Sequence, residues 1–247
     1  MIEMQGVHFR YHDGSLGLAD LSLAIARGEL VVVAGANGSG KTTLLQHLNG
    51  LLLPQQGRVC VAGLDTARAT EAVRRLVGMV FQHADFQIVG ETVGEDVAFG
   101  PANLGWDRAR VAAAVDDALA AVGLAHKRHQ RPHLLSGGEK RRLTIAGVLA
   151  MAPEVVAFDE PFSSLDLNGV RQVLQQILAL RAAGKTLVIT THDLDKIVAH
   201  ADRILLLDQG RLAVDGPPAA VLPRVEDFGV RAPEAWRVGA AVRSWLN

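Results

Sequence analysis

The run Gly35-Ala36-Asn37-Gly38-Ser39-Gly40-Lys41-Thr42 constrains the fold more than any other stretch. It satisfies G-x-x-x-x-G-K-[ST] at every fixed position. An apolar, strand-like run (Leu30-Val31-Val32-Val33-Ala34) precedes it, and a helix-like run (Thr43-Leu44-Leu45-Gln46-His47-Leu48) follows. The glycines let the backbone curl so that successive N–H groups converge on a phosphate chain, and the helix adds its positive N-terminal end. Lys41 can reach the β- and γ-phosphates, and Thr42 can ligate Mg²⁺.

Length and composition bound what surrounds this loop. The 247 residues suit one large α/β domain, or such a domain with an inserted subdomain. A hydrophobic content of 49% is ample for a core. The net charge of −1 argues against a basic nucleic-acid binder. Cys60 is the only cysteine, so no internal disulfide can form, which suits a reducing compartment. The start, Met1-Ile2-Glu3-Met4, has neither the basic region nor the apolar run of a signal peptide. No stretch approaches about 18 uninterrupted apolar residues, so any membrane crossing is expected from a partner.

Taken in order, residues 1–34 read as β-rich. Val7–Tyr11 and Leu21–Ile25 alternate apolar and polar residues and break at Asp13-Gly14 and Arg27-Gly28. The helix after the glycine loop is expected to stop at Asn49-Gly50. Gly57–Gly63 reads as a short strand, 66–75 as a helix and Leu76–Phe81 as a buried strand. Residues 83–105 carry many turn-type residues. Asp107 caps a helix that Gly123 stops, and a second helix runs from about Glu139 to Ala152 before Pro153. Val155–Phe158 resumes the strands and ends in Asp159-Glu160. A helix through Val170, Val173, Leu174, Ile177 and Leu178 follows, then the strand Thr186–Thr190 and a helix over 194–200 opened by Asp193. Two apolar runs flanking Asp208-Gln209-Gly210 signal a hairpin. Alternating strands and helices predict a largely parallel sheet. The expected division is a core of residues 1–82 and 153–216, a helical subdomain of 83–152 and a peripheral tail of 217–247.

A parallel sheet presents its sites at the carboxyl ends of its strands. Asp159 and Glu160 sit at such an end. Asp159 is assigned to Mg²⁺ of a bound nucleotide and Glu160 to general base for an attacking water. His192 follows another strand and can bond the γ-phosphate or position that water. Gln82 ends a third, where an amide can contact Mg²⁺ or the water without fixing charge. Ser136-Gly137-Gly138-Glu139 is a second small-residue turn that opens a helix, hence a second anion site, but it has no lysine. One nucleotide needs one cradle, so this turn is expected to cap the γ-phosphate held by another subunit. The competing reading is a plain helix cap, with Ser136 and Glu139 forming a capping box.

With these residues in place the chain resembles the ATP-binding subunits of ABC transporters over about residues 1–216. Gly35–Thr42, with Thr43 beside them, match the Walker A motif. Gln82 matches the Q-loop glutamine, and Leu135–Glu139 match the signature turn. Val155–Asp159 with Glu160 match Walker B and the catalytic glutamate. Ser164-Leu165-Asp166 match the D-loop and His192 the switch histidine. Tyr11 falls where the family places the aromatic residue that stacks on adenine, an interaction of about 1–3 kcal/mol per base. The resemblance implies a P-loop NTPase with a RecA-like, mostly parallel core, an antiparallel β edge and an inserted helical subdomain. It also implies a dimer that closes on two ATP molecules, with Ser136, Gly137, Gly138 and Asp166 contacting nucleotide, and Mg²⁺ held by Thr42, Gln82 and Asp159.

A narrower resemblance rests on Val80-Phe81-Gln82, on Glu95–Gly105 and on Ile145–Met151. These are similar to the ATPases of energy-coupling-factor importers, especially the cobalt and nickel group. Where that group shows a proline-aspartate pair, this chain has His83-Ala84-Asp85; Gln87 keeps the group's second glutamine. Pro161-Phe162-Ser163-Ser164 replaces the common proline-threonine-serine-glycine. The resemblance implies partners: a homodimer mate or sister ATPase, a transmembrane coupling subunit and a substrate-binding membrane subunit, with no nucleic acid. The chain would sit peripherally on the cytoplasmic face of the membrane. Residues 83–99 are expected to meet the membrane partner, with Phe86, Ile88 and Phe99 as anchors and Glu91 or Glu95 facing basic residues; the alternative is that the aromatics fill the local core. His126, His129 and His133 read as part of a solvated basic loop, not a metal site, because their spacing is not a compact ligand set. The rivals are the same motor for a vitamin such as biotin, and a soluble ABC ATPase acting on DNA or ribosomes.

Overall fold

The computed structural model describes residues 1–246; Asn247, the end of the expected tail, lies outside the described residues. Strands β1 (Ile2–Arg10) and β2 (Leu16–Ile25) form a hairpin, and β3 (Leu30–Ala34) leads through the glycine loop into α1 (Lys41–Leu48). Next come β4 (Gln56–Val61), β5 (Leu64–Asp65), α2 (Thr70–Leu76) and β6 (Val77–Val80). Three helices, α3 (Val93–Asn103), α4 (Arg108–Ala121) and α5 (Gly137–Leu149), are inserted before β7 (Val155–Asp159). The chain continues through α6 (Leu167–Ala182), β8 (Thr186–Thr191), β9 (Arg203–Asp208) and β10 (Arg211–Gly216). The short helices α7 (Pro218–Val221) and α8 (Glu234–Arg237) follow.

The strands form two sheets. One is antiparallel, in the order β2-β1-β4-β5; the other has six strands in the order β10-β9-β3-β8-β7-β6. Only the β9–β10 pairing of the larger sheet is antiparallel. Every residue of β3, β7 and β8 is buried, as a sheet covered on both faces requires. The strand period of two sends alternate side chains to opposite layers. Leu30, Val32 and Ala34 join the core on the side of α3–α6, with Leu119, Leu143 and Val173. Val31 and Val33 join the core against α1 and the antiparallel sheet, with Leu44, Leu48, Ile2 and Met4. The expected α/β fold, with an antiparallel edge and inserted helices, is the observed one.

Local departures have physical causes. Residues 93–103, expected as turn-like, form α3. Thr92 and Glu95 open it with a reciprocal capping box, and Pro101 is tolerated inside it. Gly100 allows its close approach, since a Cβ there would lie 2.7 Å from Met151 Sδ. Residues 66–69 do not join α2, because the Asp65 carboxylate accepts from the N–H of Ala67 and fixes a turn. The helix expected over 194–200 is two 3₁₀ turns, Leu194–Lys196 and Val198–His200. Asp193 makes no cap there; its carboxylate pairs with Lys196 at 2.9 Å. The expectation of a peripheral tail also needs correcting, because Val221, Leu222, Val225, Val230 and Ala232 are buried in the core.

His47, on the buried face of α1, is fully buried; its Nδ1 lies 2.8 Å from the Thr43 carbonyl and its Nε2 has no partner among the described residues. Burial pushes its pKa below the ordinary histidine value. The unfolded chain therefore binds the proton first, so this contribution to stability is complete above about pH 6.5 and is lost as pH falls toward the native pKa. Denaturant unfolding between pH 7.5 and pH 5.5 is expected to show falling stability, with a shallower slope in His47→Gln.

Candidate active site

Strand register assembles the site. Ala34 of β3 is level with Thr191 of β8, and Asp159 of β7 is level with Thr190. The glycine loop, Asp159-Glu160 and His192 therefore leave the sheet along one carboxyl edge. Val80 of β6 pairs with Phe158, which brings Gln82 to the same edge. Tyr11, Asn37, Lys41, Thr42, Gln82, Asp159, Glu160 and His192 line one cleft of about 510 Å³.

The loop backbone is left-handed at Gly38 and Gly40. A Cβ on Gly40 would lie 2.6 Å from the Gly17 carbonyl, so no other residue fits without displacing backbone. Gly40 starts α1 with no side-chain cap, and the first turn of α1 holds no acidic residue. Its positive end thus stays free to meet an anion. Lys41 Nζ donates to the carbonyls of Gly35 at 2.8 Å and Ala36 at 2.9 Å. Burial lowers its pKa, while Glu160 and Asp159 pull it back up.

Thr42 Oγ1 donates to Asp159 Oδ2 at 2.9 Å, and Thr190 Oγ1 donates to Asp159 Oδ1 at 2.6 Å. Hydroxyl and carboxylate oxygens side by side are the hard donors that Mg²⁺ takes. Glu160 has a φ of +47°, uncommon for a residue with a side chain. Its Oε1 accepts from the His192 N–H at 3.0 Å and lies 2.8 Å from His192 Nδ1. Tyr11 stands at the cleft mouth, its hydroxyl 2.8 Å from Thr43 Oγ1 and its ring edge-on to Phe9.

Ser136, Gly137, Gly138 and Asp166 do not line this cleft. Ser136 opens α5 in a capping box with Glu139, and Asp166 caps α6 by accepting from Gly169 N–H at 2.7 Å. The capping-box reading of this turn is therefore realised. The Lys127 ammonium, 2.5 Å away, holds Glu139 at a pKa of about 2. The box engages the N–H groups of Ser136 and Glu139 and not those of Gly137 and Gly138, so it does not exclude an anion there.

Phe86 is 85% and Phe99 54% exposed, so neither fills the local core, whereas Ile88 packs partly against it. Among the described residues, no group of three or more histidine, cysteine or acidic side chains is placed to hold a metal. Asp96 and Arg141 escaped the sequence reading, and Gln87 entered it without a structural role. Gln87 closes the end of β6, accepting from Phe81 N–H and donating to the Met79 carbonyl, both at 3.0 Å. The buried Asp96 accepts from Val89 and Gly90 N–H. Arg141 donates to the carbonyls of Phe81 and Gln82. For Asp96 the signal was present: Thr92-Val93-Gly94-Glu95 is a capping-box pattern that starts a helix there.

A strand–glycine loop–helix with its lysine, beside a Thr–Asp oxygen pair and a glutamate at the next strand end, defines a P-loop nucleoside triphosphatase. The family profile described as ABC transporter matches residues 18–163. The chain is 47% identical to the cobalt import ATP-binding protein CbiO of Rhodobacter capsulatus, over 90% of this chain and 80% of that one. It is 43% identical to the energy-coupling factor transporter ATP-binding protein EcfA of Methanosarcina acetivorans, over 90% and 81%. It superposes with a TM-score of 0.80 and 27% identity on the ATP-binding cassette MJ0796, solved as a dimer in a post-hydrolysis state bound to ADP and Pi, over 88% and 98%. The chain belongs to the ABC transporter family, as an ATPase of the energy-coupling-factor type.

Lys41→Ala removes a cation placed for phosphate. Hydrogen bonds to charged groups contribute about 1.5–3 kcal/mol, so ATP affinity measured by calorimetry is expected to fall roughly 10- to 150-fold.

Proposed function

We propose that this chain is the motor of a cobalt importer, hydrolysing ATP at sites shared by two ATPase chains. The glycine loop from Gly35 to Gly40, with Lys41, Thr42 and Thr43, holds the phosphates, and Tyr11 stacks on the base. Thr42, Asp159 and Gln82 would hold Mg²⁺, which would supply positive charge against the phosphates. Glu160 takes the proton of the attacking water. Its Oε1 is committed to His192, and its Oε2 has no hydrogen-bond partner among the described residues, which suits that task. His192 fixes the carboxylate and offers its remaining ring nitrogen to the γ-phosphate.

The observation that carries the two-chain reading is spatial. Ser136, Gly137, Gly138 and Asp166 lie outside the cleft that Tyr11, Asn37, Gly38, Gly40, Lys41, Thr42 and Thr43 line. A second chain, packed head to tail, supplies them to that cleft, and closure on ATP is the stroke. The dimeric relative bound to ADP and Pi supports this assembly.

Residues 83–99 meet a transmembrane coupling subunit, with the exposed Phe86 and Phe99 as apolar anchors. No helix among the described residues is long and apolar enough to cross a membrane. In this reading membrane subunits do the crossing and the chain sits peripherally at the cytoplasmic face. The relative named for cobalt import supports cobalt; nickel is the other ion of the expected pair, and a vitamin such as biotin is the alternative. A DNA- or ribosome-directed role finds no support in a net charge of −1.

Glu160→Gln is expected to lower turnover by about 10²-fold or more and to leave an ATP-bound dimer on size-exclusion chromatography. Wild-type turnover would remove Glu160 from the base role. Ser136→Arg is expected to abolish the ATP-dependent dimer while ATP binding to the single chain stays near wild type; normal hydrolysis would overturn the shared site. Vesicles carrying the chain with its membrane subunits are expected to take up cobalt in an ATP-dependent way, and uptake of biotin instead would reassign the solute.

A further inference from the structure

Four consecutive charged residues follow the Ser136 turn, and each engages a different part of the chain. Glu139 pairs with Lys127, Lys140 with Asp85, and Arg142 donates to Gln172 on α6. Arg141 differs in kind. It is only 4% exposed and, among the described residues, pairs with no carboxylate; its two terminal nitrogens donate to the consecutive carbonyls of Phe81 and Gln82, and its buried Nε has no partner among those residues. Burying a guanidinium that meets no carboxylate carries a desolvation cost, so stability alone does not account for its place here. Its planar fork is instead suited to fixing orientation, because two parallel donors hold two successive peptide planes at once.

Its position makes that orientation consequential. Gln82 lines the cleft that holds Lys41 and Glu160. A neighbouring small cleft is lined by Gln82, Gly137, Arg141 and Ser164, so Arg141 stands where the Gln82 segment, the start of α5 and the segment leading to Asp166 converge. Arg141 lies five residues along α5 from Ser136, roughly 7.5 Å at the helical rise. The helix is a stiff rod on that scale, so any shift of the 81–82 backbone is carried to the Ser136 turn.

We propose that Arg141 is a positioning residue that couples the two ATP sites of the dimer: it ties the segment sensing the chain's own ATP to the turn that caps the partner chain's ATP. This rests on the shared-site reading above.

The test is Arg141→Met, which keeps the aliphatic stem but removes the fork, made alone and in a Glu160→Gln background. ATP affinity of the single chain is expected to stay near that of the parent, and the thermal midpoint to fall by no more than a few degrees as the Phe81 and Gln82 carbonyls lose these donors. The ATP concentration for half-maximal dimerisation is expected to rise about tenfold and the Hill coefficient of hydrolysis to fall toward one, within the usual range of coupling between sites. Arg141→Lys keeps the charge without the fork and is expected to restore less than half of the effect; it reads the same quantities should Arg141→Met not fold. Parental dimerisation and Hill coefficient in the folded variant would overturn the proposal, as would a loss of activity that only tracks a loss of folded protein. If Ser136→Arg abolishes the dimer while Arg141→Met leaves it unchanged, only the role of Arg141 falls. If Ser136→Arg dimerises and hydrolyses normally, the shared-site reading falls first.

Discussion

The hydrogen bond from Thr42 to Asp159 joins residues 117 positions apart, and the site depends on the register that permits it. Ala34, Thr191, Thr190 and Asp159 end three adjacent parallel strands at one level. A one-residue slip of β7 would turn Asp159 to the opposite face and break its bonds to Thr42 and Thr190. Burial on both faces opposes such a slip, because Val156 and Phe158 fit one layer while Val155 and Ala157 fit the other. The apolar core therefore sets the geometry of the polar edge. Lys41, buried yet drawn upon by two carboxylates, is held ready inside that edge.

Most of this was legible because it is local. The glycine loop, the strand that ends in Asp159-Glu160 and the caps at Asp107 and Ser136 are each written within a few consecutive residues. What escaped has no local signature or a misleading one. Gly94, Gly100 and Pro101 disguise α3, whose helix is secured by a capping box and by close packing on Met151. Asp193 looks like a helix cap but binds Lys196, and two 3₁₀ turns result. Tail residues such as Val221 and Val225 lack a periodic pattern, yet the core accepts them singly. Arg141 reads as one charge among four, and only the fold shows that it alone is buried.

The two anion-ready turns acquire meaning from their separation. Gly35–Lys41 and Ser136–Gly138 both open helices, but Lys41 lines one cleft and Gly137 another. In the proposed head-to-tail pair each turn would face a phosphate, which would account for the absence of a lysine at the second. Arg141 then ties the segment beside the first site to the helix that carries the second. Phe86 and Phe99 stand exposed beside the same segment, where a membrane partner would feel its movement.

The shared site is tested most directly by mixing two chains in a Glu160→Gln background, one carrying Lys41→Ala and the other Ser136→Arg. Neither chain alone can build an intact site. Together they build one, from the glycine loop of the second and the Ser136 turn of the first. Size-exclusion chromatography with labelled ATP is expected to show a dimer only in the mixture, retaining one ATP per pair of chains. A mixture that stays monomeric, or ATP-dependent dimers of the Ser136→Arg chain alone, would contradict a site completed by a second subunit.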